Sequence, residues 1–220
     1  MIILFDLDGT LIDSTDAIVS TFHHTFKVLG SLHAVCPSGI EVKDEDIEAL
    51  IGYPLDIMYT QLGVDKDKVW DYVDAYKEEY RKISTIKTKL LPNAVQAIKK
   101  ASEFAELGIV TTKTGKYSKV LMEHFNLMQY FKVLVGYEDV TKPKPDAQPI
   151  LKALESFDTK DKEIWMIGDT KLDLICANNA NVNSIAVLCG YGDKETLKEF
   201  TNVILPDTLK AINYLENRKK

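Results

Sequence analysis

The sequence is short of positive charge. Its 27 lysines and arginines face 33 aspartates and glutamates, a formal charge of −6. A broad cationic footprint for nucleic acid or an anionic membrane surface is therefore not expected, and any anionic substrate must be met by local charges. Long apolar runs are missing too. No stretch approaches the roughly 20 residues that span a bilayer, and Met1-Ile2-Ile3-Leu4-Phe5 meets Asp6 too soon for a secretory signal, so a cytoplasmic location is expected. Three cysteines, Cys36, Cys176 and Cys189, are odd in number and form no CxxC pair, which argues against a disulfide framework or a zinc or redox site and for reduced filler. Repeats and low-complexity tracts are absent. What remains is a globular composition, 45% hydrophobic over 220 residues with 11 Gly and 7 Pro, long enough for one large core or a core with a smaller appended unit.

Short, uniformly apolar runs recur at Ile2 to Phe5, Leu107 to Val110, Val133 to Val135, Ile164 to Ile167, Ile185 to Leu188 and Val203 to Leu205. Runs of this kind suit strands buried on both faces of a parallel sheet. The segments between them, Ala94 to Glu103, Tyr117 to Phe125, Ala147 to Phe157, Lys171 to Ala180 and Leu209 to Asn217, fit crossover helices, so a doubly wound α/β fold is expected. About a hundred residues separate the first strand from Leu107, far more than a crossover needs. Thr15 to Leu29, Asp44 to Leu62 and Lys66 to Ile83 carry helical periodicity there, as in Val69, Tyr72, Val73, Tyr76 and Tyr80. The expectation is a catalytic core of residues 1–14 and 91–220 with a helical insert of residues 15–90 after the first strand.

In open α/β sheets ligands sit beyond the carboxyl ends of the strands. The first run ends in Asp6-Leu7-Asp8-Gly9-Thr10, the second in Thr111-Thr112-Lys113, and the fourth in Gly168-Asp169-Thr170-Lys171-Leu172-Asp173, while Lys142-Pro143-Lys144-Pro145 precedes a helix. Asp6 and Asp8, two apart, can project toward one side while Leu7 turns into the core and Gly9 allows the tight turn. Adding Asp169 and Asp173 concentrates negative charge that calls for a cation, and oxygen ligands without Cys or His favour Mg²⁺. A carboxylate beside Mg²⁺ can attack phosphorus. Asp6 is the expected nucleophile and Asp8 the acid and base that protonates the leaving alcohol and then deprotonates water. Thr111 would donate to a phosphoryl oxygen and Lys142 would supply positive charge, with Gly9, Thr10, Thr112 and Lys113 the candidates to hold the phosphate. Each of these residues taken singly is what a turn, a helix cap or a solvated loop also uses; four strand ends presenting them in a consistent order are what carry the reading.

The four segments together resemble the ordered motifs of the haloacid dehalogenase-like hydrolases, over nearly the whole chain. Gly52-Tyr53-Pro54-Leu55, Val135-Gly136-Tyr137-Glu138-Asp139-Val140 and Gly190-Tyr191-Gly192 are most similar to the phosphoglycolate phosphatase-like group. The resemblance implies a Rossmann-like core with a helical cap after the first strand. It also implies Mg²⁺ held by Asp6, the backbone carbonyl of Asp8 and Asp169, with Asp173 supporting the metal site. Thr112, Ala147 and Asn181 depart from the pattern, which often has Asn or Ser, Pro and Gly there. Asp8 favours phosphate esters over organohalides. The expected activity is thus a Mg²⁺-dependent phosphatase for a small phosphorylated metabolite, 2-phosphoglycolate first among substrates to test. A β-phosphoglucomutase-like mutase and a receiver-like or non-catalytic signalling module are the alternatives; a monomer or weak homo-oligomer is expected. Lys43, Tyr53, Lys77, Tyr80 and Arg81 in the insert could meet a second anionic group, but a solvated helix face explains such charges as well. Tyr72, Tyr76 and Tyr80 read as bundle packing, and His23, His24, His33 and His124 as solvated or packed imidazoles.

Overall fold

The structure, a computed structural model, describes residues 1–32 and 42–218; His33 and Cys36 lie outside the described residues. From the N-terminus, β1 (Ile2–Phe5) and β2 (Ile12–Asp13) lead into α1 (Thr15–Leu32), α2 (Asp44–Glu48), α3 (Leu55–Gln61) and α4 (Val69–Lys87). The chain then continues through β3 (Lys89–Leu90), α5 (Ala94–Ser102), β4 (Glu106–Val110), α6 (Gly115–His124), β5 (Phe131–Val135) and α7 (Gln148–Leu154). It ends with β6 (Ile164–Gly168), α8 (Lys171–Asn179), β7 (Asn183–Val187), α9 (Lys194–Leu197), β8 (Ile204–Leu205) and α10 (Thr208–Arg218). No helix among the described residues is long and apolar enough to cross a membrane.

Six strands form one parallel sheet in the order β5-β4-β1-β6-β7-β8. The fold is the expected α/β one. Every residue of β1 is fully buried, as a central strand with helices on both faces requires. Its alternate residues divide between two apolar layers, Ile3 and Phe5 with α5 and α10, Ile2 and Leu4 with α7 and α8. This alternation is the pleat itself, and it leaves the strand no polar position until the ladder ends at Asp6.

The chain divides into two compact units, Met1–Asp13 with Lys89–Lys220, and Ser14–Thr88. The division falls at 13/14 and 88/89, where the sequence places it at 14/15 and 90/91. A two-stranded antiparallel ribbon accounts for the second difference: β2 pairs with β3, Ile12 opposite Leu90 and Asp13 opposite Lys89, so Lys89 and Leu90 belong to the core. Two-residue strands carry no periodicity to read. Within the helical unit, Asp44 to Leu62 is two helices rather than one segment. α2 stops at Glu48 with Ala49 as its C-cap; the turn that follows carries Gly52 at a φ of 108°, and Pro54 stands as the N-cap of α3.

The aromatic residues of the insert form that unit's own core. The Phe22 ring lies 4.5 Å from Tyr59 and 5.2 Å from Tyr76, and Tyr76 stacks on Tyr80 at 5.4 Å. Contacts of this kind add about 0.5–1.5 kcal/mol per pair beyond burial. The buried Tyr59 hydroxyl is satisfied by Thr25 Oγ1 at 2.7 Å. Lys43 and Arg81 are exposed, and Lys77 pairs with Asp74 at 3.6 Å on the same helix.

Glu106, at the start of β4, accepts from Lys132 of β5 at 2.7 Å and from Lys162, just before β6, at 2.6 Å. These two hydrogen bonds hold its carboxyl down at about 2. A carboxyl depressed in the folded state adds stability above its unfolded pKa and loses it as pH falls through the folded one. Glu106→Gln should therefore cost less than about 1 kcal/mol at pH 7, and the gap between variant and parent in urea melts should close between about pH 4.5 and 2.

Candidate active site

The site starts where β1 stops. The Asp6 N–H still bonds Ile167 O of β6 at 2.9 Å, and the chain then wraps around the Leu7 carbonyl, which accepts from Leu11 N at 2.9 Å and Ile12 N at 3.1 Å. Leu7 is buried in the core. Gly9 turns the corner with φ +83°, and a Cβ there would stand 2.3 Å from Asp169 Oδ2. Glycine is required on both counts. Gly190 and Gly192 press on Asp169 in the same way, at 2.1 Å from Oδ2 and 2.0 Å from the backbone O for an added Cβ, and Gly168 would strike Asp173.

Four segments converge on these strand ends. Asp6, Asp169 and Asp173 are buried and bring a carboxylate oxygen each within 4.8 Å of one another. Lys144, itself buried, donates to Asp6 Oδ1 at 2.7 Å, to Val110 O at 3.2 Å and to Asp173 Oδ1. Asp169 accepts from the Thr10 hydroxyl at 2.8 Å and the Tyr191 N–H at 2.9 Å. The other Asp173 oxygen caps α8, accepting from Thr170 N at 3.0 Å and Oγ1 at 2.8 Å. Asp8 points elsewhere, to Lys113 Nζ at 3.2 Å from each of its oxygens.

Burial pushes the Asp6 carboxyl up to about 7, with the Asp173 charge adding to the effect and Lys144 opposing it. Burial and then the charges of Asp6 and Asp173 also raise Asp169 well above the usual range, against the two hydrogen bonds it accepts. Burial alone would lower the Lys144 ammonium, but the charges of Asp173 and Asp6 outweigh it and raise its pKa. Cys176 and Cys189 sit beside this cluster with thiols pushed up by burial, to about 12 and about 11, so neither is a thiolate near neutrality.

Three expected assignments change. Lys142 is exposed, and the Gln148 side chain fixes its backbone N–H at 2.7 Å, so the lysine of the cluster is Lys144. Thr10 is fully buried with its hydroxyl given to Asp169; it orients that carboxylate and is not open to a phosphate. Asp173 has one oxygen on Lys144 and the other on Thr170, which makes it an anchor for the lysine more than a metal ligand. Thr111 is buried at the end of β4, its oxygen accepting from Lys113 N at 3.2 Å, and Thr112 and Lys113 follow it half-buried.

The Val135 to Val140 segment holds the Thr111 loop. Thr111 N donates to Val135 O and Tyr137 N to Lys113 O, each at 3.0 Å, while Glu138 accepts from Gly115 N at 2.8 Å and Lys116 N at 3.1 Å at the start of α6. Asn181 takes a φ of 53°, a conformation asparagine tolerates.

This sheet and this ordered set of strand ends define a hydrolase of one family, and the chain belongs to it: the haloacid dehalogenase-like hydrolase model matches residues 3–187. A Caldanaerobacter subterraneus protein provisionally named pyrophosphatase PpaX is 34% identical over 203 residues, covering 90% of this chain and 86% of its own. Pyrophosphatase PpaX of Bacillus anthracis is 32% identical over 202 residues, 89% of this chain and 88% of its own. Among solved structures, a haloacid dehalogenase-like family hydrolase from Streptococcus pneumoniae superposes with a TM-score of 0.84 at 26% identity, covering 97% of each chain. The protein is an enzyme of this family, whose members here include phosphatases and pyrophosphatases.

Removing Lys144 would leave Asp6 and Asp173 facing each other without compensation, a change that costs about 3–5 kcal/mol in buried pairs. Lys144→Met should lower the melting temperature and cut turnover at least about 100-fold, whereas Lys142→Ala should change either by little. Comparable losses in parallel melts and rate assays would return Lys142 to the site.

Proposed function

We propose that the protein is a Mg²⁺-dependent phosphohydrolase that acts on a small phosphorylated metabolite through Asp6 as nucleophile, with inorganic pyrophosphate the first substrate and 2-phosphoglycolate the paired ester. The observation that carries this reading is the buried group of Asp6, Asp169 and Asp173 around the single ammonium of Lys144. Pyrophosphate comes first because the relatives alike over most of their length bear that activity in their names.

The donor set fits a hard divalent cation. It offers carboxylate oxygens and no thiol or imidazole, and ionised it would bury more negative charge than Lys144 balances, a deficit that only a cation or protons can make good. Asp6, Asp169 and the Asp8 carbonyl are the groups we assign to it. Bound there, Mg²⁺ neutralises the carboxylates and polarises a phosphoryl oxygen.

The chain's own residues supply the rest. An Asp6 oxygen attacks phosphorus and the bond from phosphorus to the leaving oxygen breaks. The leaving oxygen takes a proton from Asp8, which is left ionised; the transfer matters more for an ester's alkoxide than for orthophosphate, itself a stable anion. Asp8 then accepts a proton from water as the water oxygen attacks phosphorus. The bond to Asp6 breaks, phosphate departs and the carboxylate is restored. Thr111 donates to a non-bridging oxygen, and Lys144 holds Asp6 in line.

Phosphate release from pyrophosphate should require Mg²⁺, stop on chelation and fall at least about 1000-fold in Asp6→Asn. Undiminished turnover by that variant would remove Asp6 from the role. A second readout needs no substrate. An Asp6 carboxyl raised to about 7 makes the folded state bind extra protons, so stability without metal falls as pH rises from about 4 to 7. Mg²⁺ binds the ionised group, so its rise in melting temperature should be larger at pH 8 than at pH 5; equal shifts would count against the metal site.

A further inference from the structure

We propose that Lys113 is a specificity-determining residue, selecting substrates that carry a second anionic group on the leaving side of the scissile P–O bond. The inference rests on the phosphohydrolase reading and gives it a substrate class. Two ammonium groups stand at these strand ends, and they are placed differently. Lys144 is buried and engaged with three acceptors, Asp6, Val110 and Asp173. An ammonium has three protons to donate, so Lys144 can meet a substrate only by giving up a contact that stabilises the cluster. Lys113 retains 10% of its side-chain exposure and faces an Asp8 that retains 13%. Its 3.2 Å to each Asp8 oxygen is longer than the 2.7–2.9 Å usual between charged partners, so an incoming anion can share the ammonium without breaking a tight pair.

The backbone beneath Lys113 is fixed. Its N–H donates to Thr111 Oγ1, its carbonyl accepts from Tyr137, and Glu138 ties down the residues that follow. The ammonium is thereby held beside Asp8, the group we assign to the leaving oxygen. Charge gives this position its meaning. Asp8 is itself an anionic partner of Lys113, so a second anion arriving beside it meets local repulsion unless Lys113 offsets it. Pyrophosphate and 2-phosphoglycolate each carry such an anion within a few bonds of the leaving oxygen, whereas p-nitrophenyl phosphate carries none.

The test is steady-state kinetics of the Mg²⁺-loaded enzyme on these three compounds, for the parent chain, Lys113→Met and Lys113→Gln, with thermal melts to confirm folding. Both variants should raise KM for pyrophosphate and 2-phosphoglycolate about tenfold and that for p-nitrophenyl phosphate several-fold less. A residue that only orients Asp8 gives a different pattern, a loss in kcat that is largest for the poorer leaving group, 2-phosphoglycolate. That pattern, or an equal rise in KM on all three, would overturn the proposal while leaving the phosphohydrolase reading intact. A parent enzyme without Mg²⁺-dependent turnover of any of them would overturn both.

Discussion

Burying three carboxylates around one ammonium is the constraint on which the rest of the core depends. Asp6, Asp169 and Asp173 come from the ends of β1 and β6 and the first turn of α8, where burying polar groups without partners is costly. Lys144 reaches two of them, the third accepts from Thr10 and Tyr191, and burial raises the Asp6 and Asp169 carboxyls. The unmet charge is a chemical resource. The divalent cation we propose would offset it beside Asp6 and, by binding there, would stabilise the cluster.

The surrounding backbone is shaped to let that cluster close. Gly9 and Gly190 admit the Asp169 carboxylate, Gly192 its carbonyl, and Gly168 the Asp173 side chain, at separations no Cβ could share. The helix start works to the same end. Asp173 caps α8 through Thr170 while its other oxygen holds Lys144, so one side chain fixes both the helix and the lysine. A side chain at Gly9, Gly190 or Gly168 would therefore act first on the Asp169 or Asp173 carboxylate, and one at Gly192 on the Asp169 carbonyl.

Much of this is legible in the chain. The buried strands are uniform apolar runs, and the acidic residues follow them directly, so the sheet and the carboxylates at its edge can be read together. The lysine cannot. Lys142-Pro143-Lys144-Pro145 repeats one dipeptide, and nothing local says which ammonium turns inward; in the fold Gln148 binds the backbone of Thr141 and Lys142, while the Lys144 ammonium meets Asp6 and Asp173. Thr10 misleads for a similar reason. A hydroxyl after Asp-Gly suits a phosphate as well as a carboxylate, and its partner, Asp169, lies 159 residues further along. The β2–β3 ribbon has too few residues to show a period, and it sets the boundary between the two units.

The helical unit marks where residue chemistry stops predicting selectivity. Its tyrosines on α4 look like a recognition stripe but pack on Phe22 and Tyr59, and a ring engaged in its own unit's core has its geometry set by packing and not by a ligand. Several of its charges are balanced in place, Lys77 by Asp74, Lys82 by Glu79 and Lys87 by Asp16. An anion would have to displace a neighbouring carboxylate from each of these lysines. In the core, by contrast, Lys113 stands 3.2 Å from the oxygens of Asp8, the carboxylate we propose as acid and base. The proposed charge discrimination therefore rests on the strand ends and not on the inserted helices.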